Sequence, residues 1–178
     1  LRQQAYLTKS LKLEVNDQRD ARAPQRYSFY FEGGVASYCR HLNHVREVKQ
    51  EKVFYVEKEQ DNIKVEVAVQ YNTDFSELVY GFANNIHTTE GGMHVQGFRT
   101  ALTRTLNAYA RKAGFLKEKD ENLQGEDVRE GLTAVISVKL PEPQFEGQTK
   151  AKLGNAEVKP VVETIFGEYF AAFLEENP

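Results

Sequence analysis

The stretch Gln144-Phe145-Glu146-Gly147-Gln148-Thr149-Lys150 sets an amide, a hydroxyl and an ammonium side by side, between a run that alternates like a strand and one that repeats like a helix. Such donors suit an anion. Lysine is a compact, mobile charge that can follow a terminal phosphate as charge develops in phosphoryl transfer, and glutamine can orient that phosphate by hydrogen bonding. On residue types alone, a solvated surface loop is the commoner reading of such a stretch.

Other chemical candidates are weaker. Gly33-Gly34 and Gly91-Gly92 each precede a helical pattern, but neither extends to a dinucleotide fingerprint or a Walker motif, so both read as turn glycines. No Ser, His and Asp spacing suggests a triad, and the four histidines, His41, His44, His87 and His94, lack a metal-ligand pattern. His41 and His44 read as a surface pair at a helix end. Arg104 and Arg111 fall seven residues apart on the predicted long helix, nearly opposite its apolar stripe, with Arg99 near the stripe's edge. They form either a basic face or an ordinary solvated one. Cys39 is the sole cysteine, so no internal disulfide and no cysteine-based metal cluster is available. Among Val35, Ala36, Tyr38 and Leu42 it reads as a small buried hydrophobe.

The elements that must carry these residues follow from periodicity. Leu1 to about Thr8 reads as the end of a helix, and Leu11, Leu13 and Val15 alternate like a strand. Asp17 to Arg26, with Pro24 and no apolar period, reads as a linker. Tyr27, Phe29 and Phe31 make a strand, followed by a short helix over Val35 to Leu42. Val53 to Lys58 and Ile63 to Tyr71 form a hairpin across Gln60-Asp61-Asn62, and Leu78, Tyr80 and Phe82 a further strand. Asn84 to Gly92 reads as a polar loop. Val95, Phe98, Leu102, Leu106 and Tyr109 mark a long helix, with Gly114 at its C-cap. One turn at Asp127 to Glu130 precedes a strand over Leu132 to Leu140, ended by Pro141 and Pro143. The last helix carries Val158, Val162, Ile165, Tyr169 and Phe173, with Asn155 as its expected N-cap. This order predicts an α+β fold whose mixed sheet has helices layered on one face.

Composition narrows the function classes. At 178 residues, with 40% hydrophobic and 28% charged residues, the chain has the profile of a folded globular protein. A formal charge of −3 excludes a uniformly basic nucleic-acid binder, so DNA contact must come from local clusters. No apolar run approaches the roughly 20 residues that span a bilayer, and the first residues lack a signal-peptide pattern. That predicts a cytoplasmic protein without membrane partners.

Pro143 to Lys150 with Lys152-Leu153-Gly154-Asn155 closely resembles the signature of the transducer domain in bacterial DNA gyrase B. The resemblance extends to Phe31-Glu32-Gly33-Gly34-Val35, Tyr80 to Ile86, Gly91-Gly92, Gly97-Phe98-Arg99-Thr100-Ala101 and Asp127 to Ala134. It implies a fold like domain 2 of ribosomal protein S5, with a four- to five-stranded mixed sheet and a left-handed βαβ crossover. Residues 1–20 resemble the end of the preceding ATPase domain, 21–26 a linker and 27–178 the transducer. By resemblance, Gln148 and Lys150 touch the terminal phosphate of ATP, Lys150 as the catalytic contact, while ATP and Mg2+ are held by the upstream domain. This chain alone is then inert and binds no cofactor. Arg99, Arg104 and Arg111 would face DNA captured in a dimeric gate. The implied partners are DNA, a second B-type protomer and the gyrase A subunit in an A2B2 heterotetramer. Rivals are the B-type protein of topoisomerase IV, a mismatch-repair clamp of related type, and a non-enzymatic S5-like nucleic-acid-binding module. Two positions depart from the pattern: Ala151 stands where a polar residue is common, and Pro160 falls near the start of the last helix.

Overall fold

In the computed structural model, residues 1–20 and 22–177 are described. The chain opens with α1 (Arg2–Leu7) and the strands β1 (Leu13–Asp17) and β2 (Gln25–Phe29), followed by α2 (Gly34–Leu42). Next come β3 (Phe54–Gln60), β4 (Ile63–Tyr71), β5 (Leu78–Ala83), β6 (Ile86–His87) and α3 (Met93–Lys112). A single 3-10 turn, Asp127–Arg129, leads to β7 (Leu132–Lys139), β8 (Phe145–Glu146), β9 (Lys152–Leu153) and α4 (Val158–Glu176). The architecture is the α+β one that the periodicities predict.

The main sheet has the order β3-β4-β7-β5-β6. Its β5–β7 pair is parallel and the other three pairs are antiparallel, so the sheet is mixed, and α3 lies on the crossover from β5 to β7. On one face, Val65, Val67, Val69, Ala134, Ile136 and Val138 pack with Phe98, Ala101 and Leu102 of α3 and Val162, Ile165 and Phe166 of α4. Both long helices thus share a face, as expected. The other face is covered too. Val35 and Cys39 of α2 join Tyr6 and Leu7 of α1 over Ala68, Phe82 and Val135.

The one-sided expectation fails for α2 because β4 alternates apolar and polar residues, which reads as one solvated face. Here the polar positions are buried with partners instead. Tyr55 donates to Glu66 at 2.8 Å, and the Asn43 amide donates to Gln70 at 3.0 Å. Paired in this way, a buried polar side chain avoids the desolvation cost that would expel it.

Two further elements depart from the sequence reading. Strand β2 begins at Gln25, inside the expected linker, and pairs with β1 from Leu13↔Phe29 to Asp17↔Gln25. Four of its five residues are exposed, Tyr27 among them, so the alternation of Tyr27 and Phe29 that predicts a strand marks no buried face, and the strand is held by backbone pairing. Strand β6 lies in the expected polar loop. Asn84 and Asn85 turn the chain with φ of 47° and 63°, a left-handed pair that asparagine tolerates and that matches tight hairpins. Pro160 sits in the first turn of α4, where a missing backbone donor breaks no helical bond.

Candidate functional site

The Gln-Thr-Lys stretch is the tip of a β-hairpin. Phe145 pairs with Leu153 and Glu146 with Lys152, leaving residues 147 to 151 to turn. Gly147 and Lys150 take φ of 75° and 55°, and the Lys150 amide donates to the Gly147 carbonyl at 3.3 Å. This closed turn leaves Gln148, Thr149 and Lys150 exposed. Among the described residues, no ion pair involves Lys150, whose ammonium lies 5.7 Å from the Phe145 ring centroid. The neighbouring Lys152 is instead paired with Glu146 at 2.9 Å. The resemblance singles out Lys150, and pairing across the hairpin gives the two lysines different surroundings.

The base of the hairpin is wedged between the starts of both long helices. The Leu153 amide donates to the Gly91 carbonyl at 3.1 Å, and the Glu90 amide to the Ala151 carbonyl at 2.9 Å. Ala151 is buried, so a polar side chain there would lack water. On the other side stands Asn155, also buried. Its oxygen accepts from the Gln144 amide at 2.6 Å, and its nitrogen donates to the Glu142 carbonyl at 3.1 Å and to Glu157 at 2.8 Å. The expected N-cap role of Asn155 is therefore corrected: α4 begins at Val158, and this side chain staples the hairpin instead. Strand and helix periodicities do not reveal such a staple, because it joins backbone groups outside both.

The three arginines have different partners. Arg99 holds Glu77 at 2.5 Å, and Glu77 also accepts from Arg129 at 3.0 Å. Arg111 donates to Asn122 at 3.1 and 2.7 Å, to the Lys117 carbonyl at 2.9 Å and to the Asp120 carbonyl at 2.9 Å. Arg104 reaches Glu163 only at 3.9 Å and is the least engaged of the three.

Two buried groups have strongly shifted acidity. Burial pushes the Cys39 thiol up to about 12, and burial lowers His94 to about 4. His94 contacts Thr88 through Nε2 at 3.1 Å. His41 and His44 stack at 5.0 Å, and among the described residues no group of three or more His, Cys, Asp or Glu is gathered as for a metal ion.

This fold, with its hairpin between helix starts, defines a module of the kind found in ATPase regions of B-type proteins of the type II topoisomerases. A Thermus thermophilus structure, the 43K ATPase domain of gyrase B in complex with an aminocoumarin, superposes with a TM-score of 0.89 at 39% identity, covering 99% of this chain and 47% of that one. The topoisomerase IV ATP-binding domain of Francisella tularensis gives 0.82 at 25% identity, covering 99% and 46%. The sequence model of DNA gyrase B matches residues 34–178, and the chain belongs to that family. It is 52% identical to the DNA gyrase B protein of Halalkalibacterium halodurans over 178 residues, all of this chain and 28% of that protein. With the DNA gyrase B protein of Clostridium acetobutylicum the identity is 54% over 179 residues, again spanning 28% of it. The chain thus spans just over a quarter of these two curated relatives.

Proposed function

We propose that this chain is the transducer segment of a gyrase B protein, which couples ATP binding and hydrolysis to closure of a dimeric gate and passage of DNA. The exposed hairpin tip is the single observation that carries the proposal: Lys150 has its ammonium free of carboxylates among the described residues, beside an exposed Gln148. Both are free to meet an anion brought by the rest of the gyrase B protein. Gln148 donates to and orients the terminal phosphate of ATP, and Lys150 follows the charge that builds on it during transfer.

The donor set fits phosphate and does not fit magnesium, since the nearest carboxylate on the hairpin, Glu146, is neutralised by Lys152. Mg2+ and most of the nucleotide are held by the remainder of the gyrase B protein, and residues 1–20, 21–26 and 27–178 serve as the end of the ATPase domain, a linker and the transducer. In isolation the chain neither binds ATP usefully nor hydrolyses it. Its partners are the gyrase A subunit in an A2B2 assembly, a second gyrase B protomer and DNA in the cytoplasm, with Arg99, Arg104 and Arg111 as candidate DNA contacts.

The test is Lys150→Ala in the complete gyrase B protein. Turnover is expected to fall on the order of a hundredfold, as for loss of one transition-state contact, with nucleotide affinity changed only a few-fold. Turnover within about twofold of wild type removes Lys150 from the reaction.

A further inference from the structure

The free tip raises the question of what holds Lys150 in one place. A two-residue strand pair is too short to fix a lysine by itself. Its base must be held by something else, and precise placement matters because a displacement of about 1 Å can cost a hundredfold in rate.

We infer that Asn155 is the positioning residue for Lys150, acting through the hairpin base; the inference rests on the proposed phosphate contact. The residue touches no part of the tip. Its side chain closes the hairpin by accepting from the Gln144 amide, just before β8, while it stands two residues after the end of β9 in the chain. The same amide group donates backwards to Glu142 and forwards to Glu157, at the start of α4. The Gly154 amide adds a backbone bond to the Gln144 carbonyl at 2.8 Å. One 3% exposed side chain thus ties both arms of the hairpin to the helix that packs across the sheet.

The alternatives at this position are excluded by its geometry. Asparagine is the side chain that both accepts and donates at this length. Aspartate retains the acceptor for Gln144, loses the donor to Glu142, and sets a second carboxylate beside Glu157. Alanine loses all three bonds and leaves the Gln144 amide and the Glu142 carbonyl without their side-chain partner.

In the complete gyrase B protein, the experiment compares Asn155→Ala, Lys150→Ala and the double variant by kcat, by KM for ATP, and by amide exchange. Asn155→Ala is expected to lower kcat about tenfold or more with KM within about threefold, and to speed exchange over residues 144 to 154 while β4 and β7 stay protected. Because it acts through Lys150, it adds nothing further in the Lys150→Ala background. If its loss multiplies with that of Lys150→Ala, or kcat stays within about twofold of wild type, Asn155 does not position Lys150. Should the alanine variant fail to fold, Asn155→Asp carries the same comparison. If Lys150→Ala itself leaves turnover intact, the phosphate contact fails and this inference falls with it; if only the Asn155 variants behave as wild type, the contact stands and the positioning role is overturned.

Discussion

Gly92 meets the backbone of Leu153 so closely that a β-carbon on the glycine would stand 2.3 Å from the Leu153 carbonyl oxygen and 2.4 Å from its nitrogen. Backbone atoms cannot rotate away, and φ at Gly92 is 131°, which side chains rarely adopt. Gly92→Ala is expected to cost about 2–4 kcal/mol, a strained backbone plus a displaced hairpin. Gly114→Ala is its control: φ there is 81°, but nothing lies within 4 Å, so strain alone costs about 1–2 kcal/mol. Urea denaturation of both variants makes the comparison. Equal losses would show that the approach of Leu153 contributes nothing.

His94 makes stability depend on pH. Burial lowers its pKa from 6.5 to about 4, so the unfolded chain binds the proton more readily than the folded one. Stability from this group is therefore complete above about 6.5 and is lost as pH falls towards about 4, by on the order of 3 kcal/mol. His41 and His87 are also lowered, each chiefly by burial, and add in the same direction. His94→Gln, which retains a partner for Thr88, should flatten the fall in urea midpoint between pH 7 and pH 4.5. An unchanged slope would assign that pH dependence to other groups.

The parts of the fold that are legible in sequence are those in which burial follows a simple period. Ile63, Val65, Val67 and Val69 in β4, and Phe98, Ala101 and Leu102 in α3, face one core and show it by spacing. Strand β2 is legible from Tyr27 on but not at its start, where Gln25 and Arg26 are polar and exposed, and α2 lies across the sheet from the predicted face because Glu66 and Gln70 are polar yet buried. The site is legible in part. Gln148 and Lys150 stand out by type, but the staple at Asn155 depends on bonds to Glu142 and Gln144 that no periodicity encodes. The Asn84-Asn85 dipeptide does carry a hairpin signal, in its tolerance of left-handed backbone.

Cys39 should be inert in the folded chain. It is fully buried, its thiol lies 3.7 Å from the Thr133 carbonyl, and burial pushes its pKa up to about 12, so thiolate is scarce at neutral pH. Labelling with a thiol reagent at pH 8 is expected to proceed only as fast as the chain opens, and to become rapid in denaturant. Prompt stoichiometric labelling of the native protein would contradict the packing of α2 on the sheet.

The DNA-contact proposal predicts unequal arginines. Arg111 is committed to a loop, donating to Asn122, Lys117 and Asp120, so Arg111→Gln should lower stability by about 1–2 kcal/mol whatever it does to DNA. Arg99 is half of a shared arrangement in which Glu77 keeps Arg129, so Arg99→Gln leaves no bare carboxylate behind. Arg104 is exposed and at 3.9 Å from Glu163 makes only a loose ion pair, so Arg104→Gln should change stability by less than about 0.5 kcal/mol. A cation free of tight partners can approach a phosphate without first breaking other bonds. In the reconstituted enzyme, Arg104→Gln is therefore expected to weaken DNA stimulation of the ATPase more than Arg99→Gln does. It should reduce the dependence of DNA affinity on log salt by about one phosphate contact, with basal ATPase intact. If Arg104→Gln folds normally and retains the wild-type salt slope and strand-passage rate, α3 presents a solvated surface rather than a DNA-facing one.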